Sequence, residues 1–473
     1  MRILMVASEA NPLAKTGGLA DVVYSLSKSL AKKHEVAIFM PFYQSVHKKL
    51  TKEAQKVAKF NVVMSWRNLD AEVFCVEIEN VHYYLLKNDQ YFNRENLYSY
   101  DDDNERFAYF TLAAKEFLKQ GLFDPELIHL HDWQPGMLPV LIKEENDPKF
   151  SDIKFVLTIH NPAFRGYFDS YQLGDYYNLS DKRYIDGTIR LNNLVSTLKA
   201  AIMYSNKITT VSPTHRLELL NDTNSSGLNS VLELRKDDFV GILNGIDIEE
   251  FSPSKDSKII AKYNKSNFIV KKKQNKEQLQ LAKDLINDDA PLFGMVSRLT
   301  WQKGLDILLP NLRYILSNGG KVIILGSGES KYEQALEQLR SEFPRNLSIY
   351  IGYNDALAHQ IYASCDFFLM PSLFEPCGLS QMISLRYATL PIVRMVGGLS
   401  DSIIPYIDGN INKANGFGFF DYSENALKDT IKWCYKVYEN KDDFVQLQVN
   451  ALNAINNWTK ASKLYLKLYE SII

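Results

Sequence analysis

Short runs of apolar and β-branched residues punctuate the chain, set apart by longer stretches in which apolar positions recur every three or four residues. In the first half such runs fall at 3–6, 36–40, 73–78, 127–130, 155–159, 208–211 and 240–243. A polar stretch with many lysines and asparagines follows at 252–276, and the series resumes at 292–296, 322–325, 347–351, 367–370 and 392–393. Runs this short and continuously apolar suit strands covered on both faces. Their alternation with helical patterns predicts right-handed βαβ units on a mostly parallel sheet. The fold class expected is α/β, with two doubly wound Rossmann-like domains facing a cleft and the 252–276 stretch as the linker region. In open sheets of this kind ligands sit beyond the carboxyl ends of the strands. Residues that follow the apolar runs are therefore the first candidates for chemistry.

A chain of 473 residues exceeds the size at which one core usually serves, which agrees with two domains. Hydrophobic residues make up 46% and charged residues 23%, with a formal net charge of −2, so no bulk charge draws the protein to nucleic acid or to an acidic membrane. The four cysteines, Cys75, Cys365, Cys377 and Cys434, form no C-x-x-C pair and no zinc spacing, as expected in a reducing compartment. The opening apolar run is too short for a signal-peptide core, and no stretch approaches the ~18 apolar residues of a membrane span. A cytoplasmic protein is expected, with neither nucleic acid nor membrane as partner.

Lys15-Thr16-Gly17-Gly18-Leu19-Ala20-Asp21-Val22 follows the first run. Its glycines allow close backbone approach, the helix opening here offers free N–H groups to an anion, and Lys15 adds positive charge. A plain strand-to-helix turn, with Asp21 complementing the helix dipole, accounts for the same residues. Ser297-Arg298-Leu299-Thr300-Trp301-Gln302-Lys303-Gly304 lies between the 292–296 run and an amphipathic segment. Two cations there suit a diphosphate, whose charge grows as it leaves; solvated surface cations are the alternative. Gly326-Ser327-Gly328-Glu329 fits a loop lying against phosphates or ribose, but it lacks the P-loop and dinucleotide patterns. Tyr353, in Gly352-Tyr353-Asn354, can stack on a base or serve the core.

Glu375-Pro376-Cys377-Gly378-Leu379 sets a carboxylate where it can grip adjacent hydroxyls, with the N–H groups of Cys377, Gly378 and Leu379 at a helix start. Cys377 reads as a small buried residue, since no basic neighbour in sequence would favour a thiolate. His131-Asp132-Trp133-Gln134 and Thr158-Ile159-His160-Asn161 each end an apolar run. With no G-x-S-x-G elbow to complete a triad, hydrogen bonding to sugar hydroxyls is their better use. Asp101-Asp102-Asp103-Asn104-Glu105 could hold a divalent metal, but acids at a helix start explain it, so neither metal nor cofactor is expected. Gly397-Gly398-Leu399-Ser400-Asp401 echoes the first glycine motif too briefly to define a repeat.

Taken in order, these motifs resemble those of bacterial glycogen synthases and plant starch synthases of the ADP-glucose type. Also part of the resemblance are Asp103-Asn104-Glu105-Arg106-Phe107, Thr210-Val211-Ser212-Pro213-Thr214 and Leu243-Asn244-Gly245-Ile246-Asp247. The family comprises retaining glycosyltransferases of the two-Rossmann-domain architecture called GT-B. The resemblance implies a first domain over 1–245, a nucleotide-sugar-binding domain over 246–455, and a C-terminal helix over 456–473 that crosses back to the first. Trp458, Ala461, Tyr465, Leu468 and Tyr469 carry that last likeness. It implies transfer of glucose from ADP-glucose to the non-reducing 4-hydroxyl end of an α-1,4-glucan such as glycogen, with retention of configuration.

By the same resemblance, His160, Glu375, Arg298 and Lys303 are the candidate catalytic residues. Lys15, Gly17 and Gly18 meet the donor from the first domain. Arg298 and Lys303 bind the diphosphate, and Glu375 holds the donor beside the Cys377, Gly378 and Leu379 backbone. Tyr353 lies against the adenine; His160, Asn161 and Asn244 position the glucose; Asp21, Tyr91 and Asp132 contact the sugar or acceptor end. The chain departs from many relatives of this architecture at Ile383, where a second glutamate is common, and at Ala388, where glycine is usual. Rival readings are another GT-B sugar transferase, a nucleotide-sugar epimerase, and a catalytically silent glucan-binding protein. An epimerase needs no acceptor, and a silent binder has no use for Lys15, Arg298, Lys303 and Glu375 together.

Overall fold

The computed structural model describes residues 1–50, 53–221 and 225–473. They divide into two compact units, Met1–Ile242 with Trp458–Ile473, and Leu243–Asn457. In the first unit the strands are β1 (Arg2–Val6), β2 (Glu35–Pro41), β3 (Gln55–Met64), β4 (Arg67–Ile78), β5 (Val81–Lys87), β6 (Leu127–His131), β7 (Lys154–Ile159), β8 (Tyr167–Phe168), β9 (Arg190–Leu191), β10 (Leu194–Ser196), β11 (Lys207–Thr210) and β12 (Phe239–Gly241). Among the described residues, nine of them form one sheet in the order β12-β11-β7-β6-β1-β2-β5-β4-β3, and β8-β10-β9 form a small antiparallel sheet.

From β12 to β5 every pairing is parallel, and β4 and β3 add an antiparallel edge. Most of the parallel strands are apolar runs of the sequence, and Ile3, Leu4, Met5 and Val6 are wholly buried; β5 was not among those runs, and the 73–78 run is β4, which pairs antiparallel. The edge was harder to read because β3 exposes one face, so its residues alternate instead of forming a run. Lys56 and Lys59 on that strand blunt it against further pairing.

Helix Gly18–Leu30 leaves β1 and buries Leu19, Val22, Val23, Leu26 and Leu30. The C-terminal helix Trp458–Glu470 packs beside it, and Ser29 Oγ donates to Ser462 Oγ at 2.8 Å. That helix buries Trp458, Ala461, Tyr465, Leu468 and Tyr469, one face at helical spacing. The acidic run at 101–105 starts helix Asp103–Lys119: Asp102 pairs with Arg94 at 2.5 Å and Asp103 with the fully buried Arg106 at 2.9 Å.

The second unit holds β13 (Leu292–Val296), β14 (Lys321–Gly326), β15 (Leu347–Ile351), β16 (Phe367–Met370), β17 (Leu390–Arg394) and β18 (Phe417–Phe419). They form a parallel sheet in the order β15-β14-β13-β16-β17-β18. The polar stretch at 252–276 is not a linker but part of this unit. Helix Phe268–Ala282 begins inside it and buries Lys272, Asn275 and Lys276. The Lys272 ammonium donates to the carbonyl oxygens of Tyr387 at 3.0 Å, Ala363 at 3.2 Å and Tyr362 at 3.4 Å. Lys276 pairs with Asp366 at 2.7 Å. These lysines tolerate burial because each finds acceptors inside the unit, which composition alone does not reveal.

Candidate active site

Both large sheets reverse direction once. In the second unit, strands step outward from β13 through β14 to β15, then resume on the other side at β16. In the first they step from β1 through β2 to β5 and resume at β6. Loops leaving the two strands at such a switch point part in opposite directions, and the gap beyond the carboxyl ends receives ligands. Several candidate residues follow the strands that flank these two points: the 15–21 segment follows β1, Asp132 follows β6, the 298–303 segment follows β13, and Glu375 follows β16, whereas His160 and Asn161 follow β7 and Tyr353 follows β15.

In the second unit Lys303 closes a 3-10 turn, Trp301–Lys303, ahead of helix Leu305–Ser317. Its Nζ lies 2.6 Å from Glu375 Oε2, and Ser372 Oγ donates to the same oxygen at 3.0 Å. Both members of the pair are largely buried. Arg298 is exposed on the same loop, its Nη2 3.3 Å from Gln302 Oε1. Gln302 ties this loop to the one after β16: its carbonyl accepts from Leu373 N at 2.9 Å, and its Nε2 donates to Phe374 O at 3.4 Å. An ammonium and a guanidinium thus share one loop, with a buried carboxylate held against the ammonium.

Helix Gly397–Ser402 abuts the Glu375 turn, with Gly398 N donating to the carbonyl oxygens of Glu375 and Pro376 at 3.1 Å each. Gly397 has φ of +44°, and a Cβ there would collide with the Glu375 carbonyl oxygen, so only glycine permits this approach. Gly326-Ser327-Gly328 packs against the backbone of the Arg298 loop. Leu299 N donates to Ser327 O at 2.9 Å, and a Cβ on Gly326 would collide with the Ser297 carbonyl oxygen. The glycines brace the Arg298 loop from behind.

Cys377 is buried against Asn244, itself buried, and burial pushes the thiol up to about 12, so it stays protonated. Gly378 adopts φ of +69°, and Leu379 caps helix Ser380–Arg386. Tyr353, just past β15, is 87% exposed, leaving its ring open to stack.

In the first unit Lys15 Nζ pairs with Asp21 Oδ2 at 2.8 Å. Gly17, in extended backbone, caps helix Gly18–Leu30. The buried Glu9 holds the loop by accepting from Thr16 N at 2.5 Å and Thr16 Oγ1 at 2.9 Å. Asp132, with φ of +59°, turns its carboxylate onto the end of β7: Oδ1 accepts from His160 N at 2.7 Å and Asn161 N at 3.3 Å. Burial nevertheless pushes Asp132 up to about 7, with the carboxylate of Glu9 adding to the shift. Burial also raises Asp21 against the opposing pull of Lys15.

His160 Nε2 lies 3.0 Å from His131 Nδ1. His160 is part exposed but enclosed enough that burial pulls it down to about 3, so the ring is neutral. Asn161 Oδ1 accepts from Ala163 N at 3.0 Å. Tyr91 sits in the core, its hydroxyl donating to Glu105 Oε1 at 2.5 Å and its carbonyl accepting from Arg106 Nε at 3.1 Å. Glu9 was missed in the sequence, as were the bracing roles of Ser372 and Gln302; the only hint at Glu9 is the polar Ser8-Glu9 break directly after the first apolar run.

Among the described residues, no three His, Cys, Asp or Glu side chains gather so as to hold a metal ion, and no helix is long and apolar enough to cross a membrane.

Residues 2–234 match the family described as starch synthase catalytic domain, and residues 276–447 match that described as glycosyl transferases group 1. The chain is 41% identical to the glycogen synthase of Clostridium kluyveri over 477 residues, covering 100% of both. It is 40% identical to that of Streptococcus pneumoniae over 480 residues, again covering 100% of both. Its structure is similar to the catalytic domain of starch synthase IV from Arabidopsis thaliana bound to ADP and acarbose, with a TM-score of 0.89 and 30% identity over 99% of each chain. Sucrose-phosphate synthase from Thermosynechococcus elongatus shares the fold alone, with a TM-score of 0.63 at 15% identity over 100% of this chain and 98% of its own.

Proposed function

This chain belongs to the glycogen and starch synthase family of glycosyltransferases, and from that premise we propose that it transfers glucose from ADP-glucose to the non-reducing 4-hydroxyl end of an α-1,4-glucan, with retention of configuration. The observation that carries the reading is the Lys303–Glu375 pair, with Arg298 on the same loop, at the second unit's switch point. The Arabidopsis starch synthase, whose structure holds ADP and acarbose, supports adenine in the donor and glucan as the acceptor. The cytoplasm, where nucleotide sugars are made, is the proposed location.

The chemistry follows from the residues. Departure of the diphosphate builds negative charge, which Arg298 and Lys303 neutralise. Glu375 holds Lys303 in place before the donor arrives, so less side-chain freedom is lost on binding. Glu375 also offers carboxylate oxygen to the donor's hydroxyls, beside the Cys377, Gly378 and Leu379 backbone. Tyr353 stacks on the adenine. By the family resemblance, Lys15, Gly17 and Gly18 act on the donor, and Asn161 and Asn244 bond the glucose hydroxyls. His160 does the same as a neutral ring, adding no positive charge beside an anomeric carbon that itself turns positive. By the same resemblance Asp21, Asp132 and Tyr91 serve the sugar and acceptor end, Tyr91 from within the core.

The test is ADP release from ADP-glucose with glycogen present. In Lys303→Ala turnover should fall by roughly 100-fold or more, the scale of losing one donor to a developing oxyanion. Undiminished turnover in that variant would reject the diphosphate role.

A further inference from the structure

His160 stands at the edge of a buried polar network that none of these steps uses. β6 carries His129 and His131 on one face, and β7 carries Thr158 beside them in register, with His160 two residues on. His129, His131, Thr158 and Thr209 are all 0% exposed, on strands otherwise built of residues such as Leu127, Ile128, Leu130 and Val156. The C-terminal helix covers this face: Tyr469 Oη lies 2.8 Å from His129 Nδ1, and the Tyr465 ring packs against His129. Polar groups on such a face destabilise the fold unless their hydrogens find acceptors.

That condition sets the direction of the bonds. His129 Nε2 lies 2.6 Å from Thr158 Oγ1, which lies 2.5 Å from Thr209 Oγ1, and Thr209 Oγ1 donates to the Leu157 carbonyl at 3.3 Å. Since the carbonyl can only accept, Thr209 receives from Thr158, Thr158 receives from His129 Nε2–H, and His129 Nδ1 accepts from Tyr469. Run in reverse, the chain would strand the Tyr469 hydrogen in the core. The ring of His129, so held, packs on that of His131 with centroids 4.3 Å apart. His131 Nε2 is buried with no hydrogen-bond partner. A bare lone pair is tolerated there better than an orphaned N–H, so the His131 hydrogen belongs on Nδ1, donating to His160 Nε2. Burial keeps all three rings neutral.

We propose that His131 is a positioning residue that fixes His160 as the tautomer with its hydrogen on Nδ1, and that Tyr469, through His129, holds the His131 ring in place to do so. The His160 Nδ1–H is then the ring's remaining donor, suited to the oxygen of a sugar hydroxyl. The proposal rests on the reading that His160 acts on the sugar.

Long-range 1H–15N correlation spectra of the full chain with 15N-labelled histidine, assigned with a His160→Gln variant, report the tautomer directly. The expected wild-type signal for His160 is Nδ1–H. In His131→Asn, whose amide nitrogen replaces Nδ1 as donor, both the tautomer and kcat should survive within about threefold. In His131→Leu the Nδ1–H signature should be lost and kcat should fall roughly 10- to 100-fold, with KM for glycogen little changed. Tyr469→Phe should shift both readouts the same way by a smaller factor. An Nε2–H signal for His160 in the wild type overturns the proposal without recourse to any variant, as do an unchanged tautomer and kcat in His131→Leu. Full activity in His160→Ala would instead defeat the reading of His160 beneath it, and the wild-type spectrum would still judge the tautomer.

Discussion

Asp132 carries two backbone N–H bonds, which favour its charged form, yet burial wins and pushes it up to about 7. An aspartate that ionises more easily in the unfolded chain than in the folded one contributes stability below about pH 4, and that contribution is lost as the pH rises through about 7. Asn at this position keeps an acceptor for both N–H groups and cannot ionise. Asp132→Asn should therefore be more stable than the wild type at pH 8, by on the order of a few kcal/mol, and nearly equal at pH 4. Urea denaturation at both pH values checks this; a gain equal at both would show that the carboxylate is not the cause. The other side chains around the first unit's switch point share the pattern, since burial also raises Glu9 and lowers His160. The charged contacts lie in Lys15, Arg298, Lys303 and Glu375.

Among elements, helix Gly397–Ser402 fits tightly against the turn carrying Glu375. Gly397→Ala forces a Cβ onto the Glu375 carbonyl and strains a backbone of positive φ. The turn must shift, and a displacement of about 1 Å at a reacting centre can cost on the order of 100-fold. The expected outcome is a roughly 10- to 100-fold fall in kcat/KM for the donor with circular dichroism unchanged; wild-type kinetics would show that the turn tolerates the shift. Most parallel strands were legible because burial on both faces writes a continuous apolar run, though β5, with His82 and two tyrosines, and the three-residue β18 were not read. The antiparallel edge at β3 was not, because one face of it meets water. Helix Phe268–Ala282 was hidden because Lys272 and Lys276 are buried by partners some 90 residues away in sequence. The same limit applies to the candidate site. Charged residues at strand ends stand out locally, whereas Glu9 on Thr16, Ser372 on Glu375 and the bracing glycine of Gly326 are visible only once the loops are adjacent.

At the level of the whole molecule, two α/β units repeat one solution. Each sheet reverses beside its earliest strand, β1 in one and β13 in the other, and each sets charged candidate residues on the loops that part there. Family membership follows from similarity along the full length. The choice of donor base rests on likeness to a starch synthase whose structure holds ADP, since the Tyr353 ring can stack on either base. The deciding measurement is the initial rate of glucose transfer to glycogen from ADP-glucose and from UDP-glucose at matched concentrations. ADP-glucose should be used at least about 10-fold faster, a difference of roughly 1.4 kcal/mol in transition-state binding. Equal rates, or a faster rate with UDP-glucose, would contradict that choice of donor.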